Sequence, residues 1–197
     1  MSDPLFDGDD ESNTPLTIEE REQLIPSYIT LRSELNEAEQ INITSAMRWV
    51  TRARGFSVLD DAQLRELHRR MFGDVWKWAG SYRKTARNIG IDAHQISVAV
   101  KSAVDDAAYW IEHDTFSFDE AAVRLSHRLV FIHPFPNGNG RWSRIVGDLV
   151  ATRLGQRPFS WGCASLMDSG NTRRAYIEAL QKADQGEWGP LLKFARS

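Results

Sequence analysis

The sequence predicts a mainly α-helical protein, a helical bundle with one short β-hairpin. Three observations point there. Apolar residues recur at three- and four-residue spacing along most of the chain. Helix-start signals precede those runs, including two Ser/Thr-x-x-Glu boxes in which hydroxyl and carboxylate satisfy orphan N–H groups. Residues 81–96 alone lack the helical pattern, and Arg87-Asn-Ile-Gly-Ile91 within them is β-prone around a glycine.

Each element follows in chain order. Residues 1–16 are rich in Asp, Gly, Ser and Pro and read as a mobile acidic leader. Thr17-Ile-Glu-Glu20 opens a short helix that stops near Pro26. A second helix spans Ser27 to Arg52, with Tyr28, Leu31, Leu35 and Ala38 on one face, and Gly55 ends it. Residues 17–55 thus form an N-terminal helical unit ahead of a core domain, 56–197. Asp60 or Asp61 caps a helix through Leu64, Leu67 and Phe72. An aromatic link, Gly73 to Gly80, and the hairpin come next. A helix from Ser97 to His113 follows, then a second capping box, Ser117-Phe-Asp-Glu120, opening a helix to Ile132. Arg141 to Leu154 is helical, with Gly155 as a left-handed stop. Asn171 caps a helix through Ile177 and Leu180 that ends near Gly186, and Leu191 to Ala195 closes the chain.

Composition narrows the function classes. The 197 residues suffice for one domain with a short appendage, and 42% apolar with 26% charged residues is ordinary for a soluble globular protein. No apolar run reaches eighteen residues, and the N-terminus lacks the basic and apolar regions of a signal peptide, so a cytoplasmic protein without a membrane span is expected. Cys163 is the single cysteine, which excludes an internal disulfide and a cysteine-rich zinc site; it reads as a small buried apolar residue. The net charge of −3 is uneven: seven acids and no base lie within residues 1–20, leaving +4 on the rest. No basic helix stands out, so nucleic acid is not an expected partner. The oligomeric state is left open, a homo-oligomer included.

Chemistry concentrates in His133-Pro-Phe-Pro-Asn-Gly-Asn-Gly-Arg-Trp-Ser-Arg144. Pro134 and Pro136 break the preceding helix. Gly138 and Gly140 allow a tight loop, and the next helix begins at once, so its N-terminus and the loop amides form an anion nest suited to phosphates. Arg141 and Arg144, three apart on the first turn of that helix, add charge-assisted bonds. His133 is placed as a general base for a hydroxyl attacking phosphorus. Asn137 offers a modest hard oxygen ligand for Mg²⁺. Taken singly, each of these features is more often a turn, a capped core residue or a solvated face; their order and spacing give them force. Walker, zincin and hydrolase-elbow patterns are absent.

This segment resembles the signature of Fic-domain proteins, His-x-Phe-x-(Asp/Glu)-Gly-Asn-Gly-Arg-x-x-Arg. Leu67-His-Arg-Arg-Met-Phe-Gly-Asp-Val-Trp-Lys-Trp-Ala-Gly-x-Tyr-Arg83 is similar to the helix and link before that family's flap, and Tyr176 to Glu187 with Pro190 to Phe194 look like its C-terminal helices. The whole chain is similar to a compact bacterial subgroup labelled "mobile mystery protein B". The resemblance implies a Fic fold that transfers AMP from ATP, with Mg²⁺, to a protein Ser, Thr or Tyr hydroxyl. It implies His133 as base, Gly138, Asn139 and Gly140 on the α- and β-phosphates with Arg141, and Arg144 on the γ-phosphate. It implies Tyr176 and Asp184 at the nucleoside, and Asn88, Ile89, Gly90 and Ile91 as a flap that docks the target by strand pairing. Asn137 departs from the pattern, standing where the family carries its metal-binding acid.

Many Fic proteins carry an inhibitory Ser/Thr-x-x-x-Glu-Gly/Asn helix whose glutamate pairs with the second arginine. Here Ser/Thr-x-x-x-Glu occurs at Thr30/Glu34 and Ser33/Glu37. The second fits better, and the expectation is that Glu37 pairs with Arg144, so that Glu37→Gly raises transfer. Two other readings stand beside a self-inhibited transferase. One is a nucleotide-binding regulatory module without transfer, because of Asn137. The other is removal of AMP by water that Glu37 positions. His68, His94, His113 and His127 show no metal spacing and, with Trp76 and Trp78, read as structural.

Overall fold

The computed structural model describes residues 18–163 and 169–197. Eight helices build it: α1 (Ile18–Gln23), α2 (Arg32–Arg52), α3 (Asp61–Phe72), α4 (Ile96–Glu112), α5 (Phe118–Ile132), α6 (Asn139–Arg153), α7 (Ser169–Asp184) and α8 (Gly189–Ala195). A 3-10 turn, Ala93–Gln95, leads into α4. No helix among the described residues is long and apolar enough to cross a membrane.

The caps explain most boundaries. The Asp60 carboxylate accepts from the Gln63 amide at 2.9 Å and starts α3. The Ser117 hydroxyl accepts from the Glu120 amide at 3.3 Å and starts α5. Gly155, at φ +79, follows α6 in the left-handed conformation. The Thr17 capping box lies outside the described residues.

Four expectations need correction. The helix expected from Ser27 begins at Arg32, because the Glu34 carboxylate reaches back to the amides of Thr30 (2.8 Å) and Leu31 (3.1 Å) and closes the helix there. Asn171 sits inside α7, which already runs from Ser169. Cys163 is exposed, at the end of a turn whose Trp161 takes a positive φ. The hairpin at Arg87–Ile91 is absent. An isolated antiparallel bridge joins Leu24 and Trp76, and no residue of 84–92 is in a strand or bridge. In the segment 84–92, the Thr85 and Ile91 carbonyls are taken by the Arg83 guanidinium, and the Ile91 amide donates to Ile132 O, so these groups do not pair across a turn.

α5 sits at the centre, packed on α4, α6 and α8, while α2 lies on α3 and α7 on α8. Leu64, Leu67, Phe72, Leu125, Leu129, Phe135 and Trp142 are completely buried where these elements meet. Trp142 fills the space beneath the loop between α5 and α6, and its indole N–H donates to Leu64 O at 3.1 Å. The aromatic link closes over α2: Trp76 stacks on Trp78 with centroids 5.0 Å apart and donates to the Glu39 carboxylate. Both tryptophans are therefore structural.

Candidate active site

The loop between α5 and α6 is built from its own polar groups. His133 ends α5 in the left-handed conformation (φ 53, ψ 59), its amide still bonded to Leu129 O at 3.2 Å. Pro134 and Pro136 forbid further helix. The Asn139 side chain, 1% exposed, then braces the turn: its Oδ1 accepts from the Phe135 amide (2.9 Å) and its Nδ2 donates to Phe135 O (2.8 Å). Gly138, at φ +77, caps α6, and a Cβ there would stand 2.6 Å from the Phe72 ring. The Asn137 Oδ1 accepts from the Gly138 amide at 2.7 Å.

His68 fastens this loop to α3 from below. Its Nδ1 accepts from the Gly80 amide at 3.0 Å, which leaves the proton on Nε2 to be donated to Asn137 O at 3.2 Å. The ring stacks on Phe135 at 3.6 Å. Complete burial pushes its pKa down to about 3, so the ring is neutral.

A cleft of about 530 Å³, an ordinary size for a small-molecule site, opens above the loop. His133, Gly140, Tyr176, Asp184, Ile89 and Gly90 all line it. The predicted base, one loop residue, both nucleoside residues and two flap residues thus converge, whereas Gly138 and Asn139 are buried and do not line the cleft. Gly140 lies in the first turn of α6, where backbone amides lack an intrahelical acceptor. The His133 pKa is lowered, chiefly by burial and further by Arg83 and Arg87, against an opposing bond to Val130 O. A neutral imidazole at the cleft wall is a ready proton acceptor. His127, beside Asp184 at 2.9 Å, also lines the cleft, and burial lowers its pKa too.

The remaining predicted residues lie elsewhere. Arg144 is 3% exposed, 5.4 Å from the Tyr176 ring, and one helical turn before Asp148. Asp148 accepts from the Phe159 amide and the Trp161 indole at 2.9 Å each, and burial pushes its pKa up to about 6. Arg141 lies over Phe72 at 4.9 Å and pairs with Glu39 of α2 at 2.5 Å. Asn88 and Asn137 are exposed, and Ile91 is half-buried. Ser33 and Glu37 are exposed as well, on the solvent side of α2. The pairing of Glu37 with buried Arg144 is therefore not formed. Two residues along a helix is about 200° of rotation, so Glu39, 2% exposed, faces inward where Glu37 faces out. Arg83, Glu39 and His68 are site-building residues that sequence reasoning missed. Arg83 and His68 stood within the quoted flap-side similarity, but nothing marked Glu39 among its acidic neighbours.

Against this geometry, the model of the Fic/DOC family matches residues 58–151. The match runs from just before α3 into the last turn of α6, and so includes His68, the flap segment, His133 and both arginines. Among curated proteins, "Protein adenylyltransferase fic-1" of Caenorhabditis elegans is 29% identical over 133 residues, 66% of this chain. The chain spans 25% of that relative's length. Among solved structures, the N-terminal Fic domain of the Bep8 effector from Bartonella sp. 1-1C superposes with a TM-score of 0.68 at 17% identity, covering 86% of this chain and 88% of that one. BepC of Bartonella tribocorum with bound AMPPNP gives 0.64 at 21% identity, covering 91% and 97%. The Fic fold thus extends beyond the matched segment to most of the chain.

Proposed function

We propose that the cleft binds ATP and transfers AMP to a Ser, Thr or Tyr hydroxyl of a protein. The observation that carries this reading is the meeting of a neutral histidine, a helix N-terminus and an aromatic-lined nucleoside wall in one cavity. The adenylyltransferase name of the curated relative and the AMPPNP held by a structure of the same fold support it. In the step, an imidazole nitrogen of His133 takes the hydroxyl proton, the oxygen bonds to the α-phosphorus, and pyrophosphate leaves. The amides at Asn139 and Gly140 serve the phosphates, joined by Gly138 if Asn137 releases its amide, with Arg141 and Arg144 behind them. The target approaches past Ile89 and Gly90.

The chain's own donors fit Mg²⁺ poorly. No cluster of three metal-ligating side chains exists among the described residues, and the Asn137 amide oxygen already accepts an N–H bond. The ion would arrive on the triphosphate. This favours a second reading, nucleotide binding without transfer. AMP removal by water held at Glu37 loses its support, since Glu37 is exposed. Restraint on the loop comes instead from Glu39, against which a phosphate competes for Arg141.

Incubation with α-labelled ATP tests these readings. Wild type transfers label, His133→Ala does not, Asn137→Asp lowers the Mg²⁺ requirement, and Glu39→Gln raises nucleotide affinity severalfold. Tight ATP binding without label transfer by the wild type or Asn137→Asp would establish the second reading.

A further inference from the structure

Arg83 is 4% exposed, and no carboxylate lies within ion-pair distance of it among the described residues. Its charge is met by carbonyls instead. Nε donates to His133 O at 2.7 Å, Nη2 to Ile91 O at 2.5 Å and more distantly to Ile132 O at 3.4 Å, and Nη1 to Thr85 O at 3.0 Å. Its own amide donates to Pro134 O at 2.9 Å. The carbonyls at the C-terminus of α5 carry the negative end of the helix dipole, which suits a cation there. The guanidinium therefore grips the base-bearing end of α5 with one edge and both ends of the flap with the other. Gly90 closes the arrangement: a Cβ on it would lie 2.6 Å from His133 Cβ and 2.9 Å from Arg83 Nη2.

We propose that Arg83 is the positioning residue of this site, a single planar fork that fixes the flap at a set height over His133 and so aligns the acceptor hydroxyl with the base. The proposal rests on the transferase reading for its kinetic consequence. Lysine would keep the charge but not the fork, since a point ammonium cannot hold divergent carbonyls in one plane. Methionine would remove both. The charged groups facing His133 are Arg83 and Arg87, both of which disfavour the imidazolium.

Arg83→Lys and Arg83→Met are compared with wild type by three measurements: exchange of the Ile91 amide, NMR titration of the His133 ring, and kcat and KM for transfer. Both variants are expected to speed Ile91 exchange about tenfold or more by releasing the flap. The His133 pKa should rise in Arg83→Met and stay near wild type in Arg83→Lys. kcat should fall roughly ten- to a hundredfold in both, with the KM for ATP little changed. Wild-type kcat and Ile91 protection in Arg83→Lys would overturn the proposal. So would a loss of nucleotide affinity matching the loss of kcat, which marks a merely structural residue. If wild type itself transfers nothing, the transferase reading fails, while Ile91 exchange and the His133 titration still decide whether Arg83 fixes the flap. Should Arg83→Met not fold, Arg83→Lys carries the test alone.

Discussion

The two walls of the cleft are both irregular segments, yet they are built in opposite ways. The loop 133–140 is braced from within and packed from beneath: Asn139 bonds Phe135 twice, His68 holds Asn137 from below, and Phe72 and Trp142 leave no room under it, although Arg83 also bonds its first two carbonyls. The flap segment 84–90 is exposed throughout and is held from outside, by Arg83 and the end of α5. Under the proposed transferase reading, the difference separates two tasks. A wall that presents amides to phosphates must be preorganised, since a shift of about 1 Å at a reacting group costs around a hundredfold in rate. A wall that meets a second protein gains from local adaptability, which few buried contacts provide.

Substitutions should sort along that contrast. The largest effect is expected from Gly138→Ala, which forces a side chain into the left-handed region and onto the Phe72 ring. Together these cost about 3 kcal/mol of stability, read by chemical denaturation. Asn139→Ala follows, leaving the buried amide and carbonyl of Phe135 unpaired at a cost of about 2 kcal/mol, with nucleotide binding weakened in parallel. Next comes acid. His68 has a folded pKa of about 3 against an ordinary 6.5, so the unfolded chain binds more protons across that interval. Stability should be unaffected above neutrality and fall by about 1.4 kcal/mol per pH unit as pH drops below about 6. A His68→Gln variant should lack that component of the slope. Ile89→Ala on the flap should be smallest, changing stability by less than about 0.5 kcal/mol while altering which proteins are labelled. A flap substitution that destabilised as much as Asn139→Ala would erase the contrast.

Much of this was legible in the sequence where cause and effect are close along the chain. Asp60 and Ser117 announce α3 and α5 because a cap acts on amides three residues away. The loop was legible for the same reason, since Asn139 and Phe135 are four residues apart. The hairpin was misread because β propensity describes a segment's own preference, whereas a guanidinium and a helix end claimed its backbone groups. The i, i+4 spacing of Ser33 and Glu37 was real, but spacing gives a shared face without saying which way that face points.

The sequence by itself determined most of the helices and the turn between α5 and α6, because those depend on caps, prolines, glycines and short-range bonds. Only the tertiary structure decided which acid meets Arg141 and what holds the flap. Glu39 and Arg141 are 102 positions apart, His68 and Asn137 69, and Arg83 and His133 50. Contacts at such separations are set by how helices pack, and packing buries one glutamate of α2 while leaving its neighbour two residues away in water.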